Sequence, residues 1–298
     1  MNSNNPLSQV SVVILTLNAE KNIGKLLKKL QKQTVHPYEI IIADSESNDR
    51  TVEICKQMGA KLLPIKRSEF NHGGTRDYAL RTTKGNYVLF LTHDAMPNDE
   101  RLIERLLNKI QSHSQLAAVY ARQLPNQTAT HTERLIREFN YPPQSHIRSI
   151  SDLSEHGIKT FFMSDVCALY RKNIYLDIGG FEKDIKTNED MFFAANAIQR
   201  GYLIGYEAEA KVVHSHNFSL EEQYKRNYIQ GYEIERHQKL LANVSQNSEG
   251  MRLVKYVSKA LLTKGHFLSW VHFGFDCCAR YAGSYIGKKK AQREKQEV

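Results

Sequence analysis

The sequence predicts an α/β protein: a doubly wound, mostly parallel sheet flanked by helices, with a helical C-terminal extension. Strand and helix patterns alternate throughout residues 10–121, which is typical of a sheet built from βαβ units. Several apolar runs are continuous instead of alternating, as in strands that are buried on both faces. With 298 residues, the chain is long enough for one catalytic-size domain and an appendage.

The first strand is predicted in VSVVILTL, residues 10–17, an apolar run between polar residues. An amphipathic helix follows, because apolar residues recur there at helical spacing, at Ile23, Leu26, Leu27 and Leu30. EIIIAD, 39–44, is the second strand. The next helix lies in DRTVEICKQM, with Ser47 or Asn48 as its N-cap and Gly59 just past its end.

The strand KLLPI, 61–65, is predicted at an edge of the sheet because Pro64 has no amide hydrogen to donate. The next elements are a helix through 75–83, a strand in NYVLFL, a helix from 99 to 111 and a strand in LAAVYA, 116–121. Between 122 and 160 the periodicity fades, which predicts a lid or insertion of loops and short helices. The last elements of the sheet are the strand FFMSDVCALYR, the turn DIGGF, a helix from 189 to 200 ended by Gly201, and a strand through 203–213.

The C-terminal part reads as helical. Ser219 and Glu222 form a capping box for a helix that runs to Leu241. Beyond Met251, apolar and basic residues mix, and the longest uncharged run, 265–275, is far short of the ~20 residues that span a bilayer. We expect a helix that lies on a membrane surface or packs on the main domain. The tail GKKKAQREKQEV, with five basic and two acidic residues, is either a frayed terminus or a contact with anionic lipid.

We divide the chain into a flexible N-terminus (1–9), a main domain (10–218) and a helical C-terminal extension (219–298) with a basic tail. The first nine residues lack the basic and apolar regions of a signal peptide, so we expect a cytoplasmic protein. The four cysteines show no CxxC spacing, which fits reduced thiols and predicts no structural zinc. The net charge of +9 favours an anionic membrane or a phosphorylated substrate as partner; without a nucleic-acid-binding motif, we expect no nucleic-acid partner.

Polar residues follow several predicted strands, at the edge where an open parallel sheet binds ligands. The first strand ends in Thr16-Leu17-Asn18-Ala19-Glu20, the second in Asp44, and the fourth in Thr92-His93-Asp94. The first turn has no glycine before Gly24 and no P-loop follows, which excludes a dinucleotide-binding fingerprint and a P-loop NTPase.

The stretches SVVILTLNAEKNI, IIADSESNDRT, YVLFLTHDA and NED before an amphipathic helix together resemble the family 2 glycosyltransferases with the GT-A (Rossmann-like) fold. The resemblance covers roughly residues 9–220 and implies an inverting enzyme with a nucleotide-sugar donor. FNHGGTRDYA, 70–79, and KVVHSHNFSLEEQYKR, 211–226, are similar to the subset of rhamnosyltransferases that build bacterial surface polysaccharides. The resemblance to the family also implies a nucleotide-binding half at 10–121 and an acceptor-side half at 122–218.

The resemblance implies a donor site at matching positions. Its residues are Thr16, Leu17, Asn18, Glu20, Asp44, His72, Gly73, Arg76, Thr92, His93 and Asp94. Asp44 would accept a hydrogen bond from the pyrimidine or the ribose. The glycines of HGGTR would admit a ligand close to the backbone, and Arg76, with His72, would donate to the diphosphate. The alternatives are helix caps for Asp44, Asn18 and Glu20, and a plain flexible turn for Gly73-Gly74.

Asp94 is the expected ligand of a divalent cation, Mg²⁺ or Mn²⁺. The family's usual motif here is Asp-x-Asp, but Thr92 occupies the first position, which leaves the site one carboxylate short. Either His93 or the pair His214 and His216 would supply the missing ligand. Residues i and i+2 of a strand face the same side, so the pair can act together, although a histidine can also be purely structural.

The resemblance also implies a base. Glu189-Asp190 at a helix start matches the family's Glu-Asp motif, with Asp190 as the base that deprotonates the acceptor and Glu189 shaping the site. The alternative is that both acids only favour the helix N-terminus. Asp165 and Cys167 lie where the family's sugar-side or acceptor-side strand runs.

The sequence thus predicts transfer of L-rhamnose from dTDP-L-rhamnose to a saccharide or lipid-linked acceptor. One alternative is the same fold with a UDP-hexose or UDP-N-acetylhexosamine donor. Another is a catalytically silent module that binds nucleotide-sugar or glycan. We expect a cytoplasmic protein, with the basic C-terminal region as a peripheral contact to the inner leaflet of the plasma membrane.

Overall fold

The computed structural model describes residues 9–241, 244 and 247–296. Of the flexible N-terminus expected at 1–9, residues 1–8 therefore lie outside the described residues, as do residues 297 and 298 of the basic tail. Within these residues the predicted α/β class and the helical C-terminal extension are confirmed.

In the described part of the chain, nine strands form one sheet in the order β3-β2-β1-β4-β8-β6-β9-β5, with β7 also paired to β9. Six strands run in one direction, whereas β5, β7 and β8 are antiparallel to their neighbours. The strands are β1 (Val10–Thr16), β2 (Glu39–Asp44), β3 (Lys61–Pro64), β4 (Tyr87–Thr92), β5 (Met96–Pro97), β6 (Leu116–Leu124), β7 (His146–Arg148), β8 (Cys167–Arg171) and β9 (Leu203–Val213). The predicted edge position of the Pro64 strand is confirmed.

The helices cover both faces of the sheet and continue into the C-terminal extension. They are α1 (Glu20–Gln31), α2 (Thr51–Gln57), α3 (His72–Thr82), α4 (Leu102–Gln111), α5 (His131–Asn140), α6 (Leu153–His156), α7 (Lys172–Ile178), α8 (Glu189–Gln199), α9 (Leu220–Arg236), α10 (Asn247–Thr263) and α11 (Phe267–Gln296). Loops, short helices and the three-residue strand β7 fill the region from 125 to 160, close to the prediction.

Two apolar layers sandwich the sheet, as the continuous apolar strands predicted. In β1, Val12 and Ile14 belong to the layer on one face, and Val13 belongs to the layer on the other. All three side chains are fully buried. Burial of one such side chain contributes about 1.5–3 kcal/mol, so the central strands are rigid supports for the residues at their ends.

Several predicted helix ends are wrong, and local hydrogen bonds explain two of the differences. Helix α3 begins at His72 and not at 75, because the Asn71 side chain accepts from the amide of Gly74 and caps it. Neither Ser47 nor Asn48 caps α2; Asp49 accepts the amide of Thr51 instead. The other boundaries differ as follows: α4 begins at Leu102 and α9 ends at Arg236.

The C-terminal helices α9 and α11 pack with their backbones in direct contact. A Cβ atom added at Gly287 of α11 would lie 2.1 Å from the carbonyl oxygen of Tyr228, and one at Gly283 would lie 2.3 Å from that of Tyr224. Side chains larger than hydrogen are therefore excluded at this contact. The basic tail, for which a frayed end was one expectation, is helical as far as Gln296 because α11 lies along α9.

A second contact joins the extension to the main domain. Leu135 and Ile136 of α5 form a small buried apolar cluster with Val257 and Leu261 of α10 and with Phe273 of α11. Among the described helices, none is long and apolar enough to cross a bilayer.

We predict that Gly287→Ala destabilises the protein by about 1–3 kcal/mol, the usual cost of overpacking, because the new methyl group overlaps the Tyr228 carbonyl. Gly274→Ala in the same helix is the matched control: no atom lies within 4 Å of its Cβ position. There alanine should gain up to about 1 kcal/mol from helix propensity. Urea denaturation of both variants measures the difference, and equal effects would contradict the close packing.

Candidate active site

The first functional cluster consists of Asp94, His214 and His216. Asp94 follows β4, and the two histidines follow β9. The antiparallel pairing of Met96 with Val213 brings these segments together. His216 Nε2 lies 3.1 Å and His214 Nε2 3.5 Å from the same Asp94 oxygen, and the two Nε2 atoms are 3.1 Å apart.

A fourth residue, Gln123, fixes the orientation of His214. Its amide oxygen lies 3.0 Å from His214 Nδ1. Because an amide oxygen only accepts, the proton of a neutral His214 is on Nδ1, and the Nε2 lone pair points at Asp94 and His216. Burial lowers the pKa of His214, although Asp94 acts against this, and the neutral ring is the form that binds metals.

The cluster fits a divalent cation. One carboxylate oxygen and two imidazole nitrogens lie within 4.8 Å of one another. Electron-rich atoms packed this closely repel each other unless a cation lies between them. Two imidazoles and one carboxylate suit Mn²⁺ better than Mg²⁺, which prefers oxygen ligands.

The structure places His93 outside this group. Its Nδ1 atom is buried and, within the described residues, has no hydrogen-bond partner. The Thr92 hydroxyl, which replaces the first carboxylate of the usual motif, is likewise buried. Of the two alternatives for the missing ligand, the fold thus brings the His214 and His216 pair to Asp94.

The second cluster surrounds the buried guanidinium of Arg76 on α3. Its Nη1 lies 2.9 Å from Glu189 and its Nε 3.3 Å from Asp165. Arg76 is only 6% exposed. Two of its nitrogens thus face carboxylates of the chain in a buried site, and the contact of Arg76 with a diphosphate stays a prediction.

Asp190, the first-turn neighbour of Glu189, is partly exposed and stands at the edge of this cluster. Its two oxygens accept the amides of Met191 and Asp165, at 2.7 and 3.1 Å. Burial, together with the Glu189 carboxylate, raises the pKa of Asp190 to about 7. A carboxylate with this pKa is suited to accept a proton near neutral pH.

The glycines of the HGGTR segment serve packing within the chain. A Cβ atom at Gly73 would lie 2.4 Å from the carbonyl oxygen of Glu182, and one at Gly74 would lie 2.9 Å from the Asn71 side chain. The predicted close approach of a ligand to Gly73 is therefore replaced by a close approach of the chain itself. His72 Nδ1 lies 3.2 Å from Arg76, and burial lowers the pKa of His72, although Glu189 acts in the opposite direction.

The turns after β1 and β2 are joined by side chains. Asp44 accepts from Thr16 at 2.8 Å and from both the amide and the hydroxyl of Ser47. The Asn18 amide donates to Ser47, and Asn18 itself has a positive φ of 52°. Among the predicted donor residues, Asp44 is thus buried and accepts three hydrogen bonds from the chain, which leaves acceptor capacity for a ligand. It closes a local turn and caps no helix.

Glu20 and Leu17 complete this rim. The Glu20 carboxylate accepts the amide of Arg50, so Glu20 fastens the second turn to the start of α1. Leu17 is 36% exposed, and it offers an apolar surface beside the rigid polar turn. The paired turns form a preorganised ledge at the carboxyl ends of β1 and β2.

Hydrogen bonds on either side of the Ser164–Asp165 peptide connect the two clusters. The Gln123 amide nitrogen donates to Tyr141 at 2.6 Å and to Ser164 at 2.9 Å, while its oxygen faces His214. Ser164 is followed by Asp165, whose amide donates to Asp190. The Asp94 cluster and the Asp190 cluster therefore belong to one site.

Gln123 was missed from sequence. The feature that could have identified it is the presence of a glutamine near the end of the apolar strand LAAVYARQL, where its side chain is only 2% exposed. A buried amide that uses both its oxygen and its nitrogen is worth noting, because such a side chain fixes its neighbours. Arg137 on α5 also donates to the Gln123 oxygen.

Comparisons with known proteins show the family of the chain. Residues 11–179 match the sequence profile of one family, described as Glycosyl transferase family 2. Two O-antigen chain rhamnosyltransferases are each 37% identical to the chain. RfbN of Salmonella typhimurium aligns over 75% of this chain and 71% of its own length, and WbaN of Salmonella anatum aligns over 87% and 82%.

Solved structures share the fold. The mannosyltransferase PcManGT from Pyrobaculum calidifontis, in complex with GDP-Man and Mn²⁺, has a TM-score of 0.65 at 13% identity, over 95% of this chain and 88% of that chain. TarS 1–349 of S. aureus, in complex with UDP-GlcNAc, has a TM-score of 0.57 at 17% identity, over 96% and 92%. At these identities the likeness shows the GT-A fold alone. Because the family match covers more than half of the chain and two relatives are 37% identical over most of it, this protein is a glycosyltransferase of family 2 with the GT-A fold.

Proposed function

We propose that the protein is an inverting, metal-dependent glycosyltransferase that moves L-rhamnose from dTDP-L-rhamnose to a saccharide or lipid-linked acceptor in bacterial surface polysaccharide synthesis. The observation that carries the proposal is Asp190, a carboxyl group with a pKa of about 7 that is joined by hydrogen bonds to a three-residue cation site. The choice of rhamnose is supported by the 37% identity to two O-antigen chain rhamnosyltransferases.

Asp190 acts as the general base. Its ionised carboxylate accepts the proton of the acceptor hydroxyl as that oxygen forms a bond to the anomeric carbon. The bond between this carbon and the donor diphosphate breaks on the opposite face, and its electron pair leaves with dTDP. Attack opposite the leaving group inverts the anomeric configuration.

Asp94, His214 and His216 hold the divalent cation in this proposal. When bound, the cation neutralises charge on the diphosphate and assists its departure. Gln123 keeps the His214 lone pair aimed at the cation site. The ledge formed by Thr16, Leu17, Asn18, Glu20 and Asp44 receives the nucleotide.

Arg76 acts on the reaction indirectly, through the carboxyl groups that surround it. Three carboxyl groups, those of Asp165, Glu189 and Asp190, share the positive charge of this one buried guanidinium. The ion pairs with Asp165 and Glu189 hold both acids in place. Burial, together with the Glu189 carboxylate, raises the pKa of Asp190. Arg76 therefore positions the base and balances its charge.

A UDP-hexose or UDP-N-acetylhexosamine donor is the second candidate. It is favoured by the fold likeness to TarS in complex with UDP-GlcNAc, since a uracil and a thymine present the same hydrogen-bonding edge to the ledge. A catalytically silent module is less well supported, because a binding module has no need of both a cation site and a base with a raised pKa. We place the reaction at the cytoplasmic side of the membrane.

The donor is identified by thermal unfolding with a panel of nucleotide sugars and Mn²⁺. At a hundred times its Kd, a ligand that binds only the native state stabilises by about 2.7 kcal/mol. We expect dTDP-L-rhamnose to raise the melting temperature most and UDP-N-acetylglucosamine less. Reversal of this order selects the UDP-sugar candidate, and stabilisation by purine nucleotides alone contradicts both.

Asp190→Asn should lower kcat by about 10²–10⁴-fold, the usual contribution of a general base, while donor binding is kept. The exposed Asp184→Asn, made in the loop before α8, is the control and should leave kcat unchanged. Failure of Asp190→Asn to lower kcat would exclude it as the base.

The pH profile offers a separate check of the base. Burial and the Glu189 carboxylate raise the pKa of Asp190, whereas the amides of Asp165 and Met191 and the charge of Arg76 lower it. Because the carboxylate is the active form, kcat/KM should rise with pH and level off above about 7. A profile that is flat between pH 5 and 8 would contradict this assignment.

Gln123→Met should weaken Mn²⁺ binding by about 10–100-fold, the usual effect of removing the partner of a ligating histidine. His216→Ala, which deletes a ligand, should weaken it at least as much. The exposed His36→Ala is the control. Titration of the free protein with Mn²⁺, followed by electron paramagnetic resonance, measures the Kd without any turnover. Equal Kd values for all three variants would place the cation elsewhere.

A further inference from the structure

Exposed apolar side chains concentrate on the C-terminal helices. On α11, Leu268 is 85%, Phe275 61% and Phe267 60% exposed. Further exposed apolar residues of the two helices are Met251, Leu262, Val271 and Ile286. Single exposed apolar residues are ordinary, but a group of this size on neighbouring helices indicates a surface that binds something.

The exposed apolar residues of α11 share one side of that helix. Leu268, Val271, Phe275 and Ile286 recur at helical spacing. The side that faces the protein carries Gly283, Gly287 and Phe273, which pack against α9 and α5. The apolar stripe is therefore separate from the surface that folding requires.

Unpaired lysines lie on the exposed side of α10 and in the turn before α11. Lys255, Lys259 and Lys264 are exposed, and none has a carboxylate within ion-pair distance in the described residues. No Asp or Glu occurs between Met251 and Phe275. On α10, the exposed side mixes Lys255 and Lys259 with two of the exposed apolar residues, Met251 and Leu262. At its other end the α11 stripe reaches Lys289 and Arg293.

This chemistry fits a lipid surface better than a protein partner. Lysine is depleted in the cores of protein interfaces, whereas lysines around a shallow apolar edge suit phosphate headgroups above acyl chains. We propose that the exposed sides of α10 and α11, with Leu268 and Phe275 inserted, bind the surface of an anionic phospholipid bilayer. This refines the expectation of a membrane-surface helix beyond Met251 to a defined apolar stripe with its lysines, outside the basic tail.

The location of this surface connects it to the active site. Helix α5 packs against α10 and α11 through Leu135 and Ile136, and its Arg137 donates to Gln123. One helix therefore separates the lipid-binding surface from the cation site. Resting on the proposed function, this places the site beside the headgroup layer, where the sugar of a lipid-linked acceptor is accessible.

Vesicle co-sedimentation of the full chain tests the inference. We expect binding to phosphatidylglycerol–phosphatidylcholine vesicles and little binding to pure phosphatidylcholine. Leu268→Ser with Phe275→Ser should weaken binding at least about tenfold, from the apolar area lost. Lys255→Gln, Lys259→Gln and Lys264→Gln together should weaken it by roughly a hundredfold, at about fivefold for each lysine. All these side chains are exposed, and unchanged thermal unfolding verifies the fold.

The matched control removes the same number of positive charges from another surface of the protein. Lys25→Gln, Lys28→Gln and Lys32→Gln remove three exposed lysines from α1, and we expect unchanged binding. Equal loss with both triple variants would show that net charge alone drives binding and would overturn the proposal.

Two other results would also overturn it. One is undiminished vesicle binding by the Leu268→Ser/Phe275→Ser variant. The other is a dimer of the unaltered protein, detected by light scattering, that is absent from this variant, since the surface would then contact a second copy. Transfer to a soluble saccharide acceptor is measured separately, so absence of glycosyl transfer would refute the proposed function without affecting the vesicle result.

Discussion

The buried guanidinium of Arg76 is the constraint on which the active site depends. A charge in an apolar interior is stable only when paired, and Arg76 is paired with Asp165 before β8 and with Glu189 at the start of α8. Three segments distant in sequence are thereby held to one point. The third carboxyl group, that of Asp190, has no ion pair with Arg76, and its burial, together with the neighbouring Glu189 carboxylate, raises its pKa.

Gln123 extends this constraint to the cation site. A single buried amide contacts His214 on one side and Ser164 on the other, so one network positions the proposed base and the proposed cation ligands. Two imidazoles from the β9 end lie beside Asp94, where the usual motif has its first carboxylate in addition. The antiparallel β5–β9 pairing makes this arrangement geometrically possible.

The strands, the sheet edge at Pro64 and the approximate positions of most helices were predictable because apolar periodicity reflects burial directly. Helix ends were less predictable, since caps such as Asn71 depend on one hydrogen bond. In the site, Asp94, Asp190 and the histidine pair were named from motifs at strand and helix ends. Gln123 was not, because a lone glutamine in a strand carries no motif.

The α/β class and the absence of a dinucleotide fingerprint can be deduced from local periodicity and glycine positions in the sequence. The candidate acids and histidines follow from the motifs that resemble the family. The folded structure was needed to show that His214 and His216, not His93, lie beside Asp94, and that Arg76 pairs with acids of the chain. Such pairings depend on burial and on contacts between residues about a hundred positions apart, for which one sequence holds no local signal.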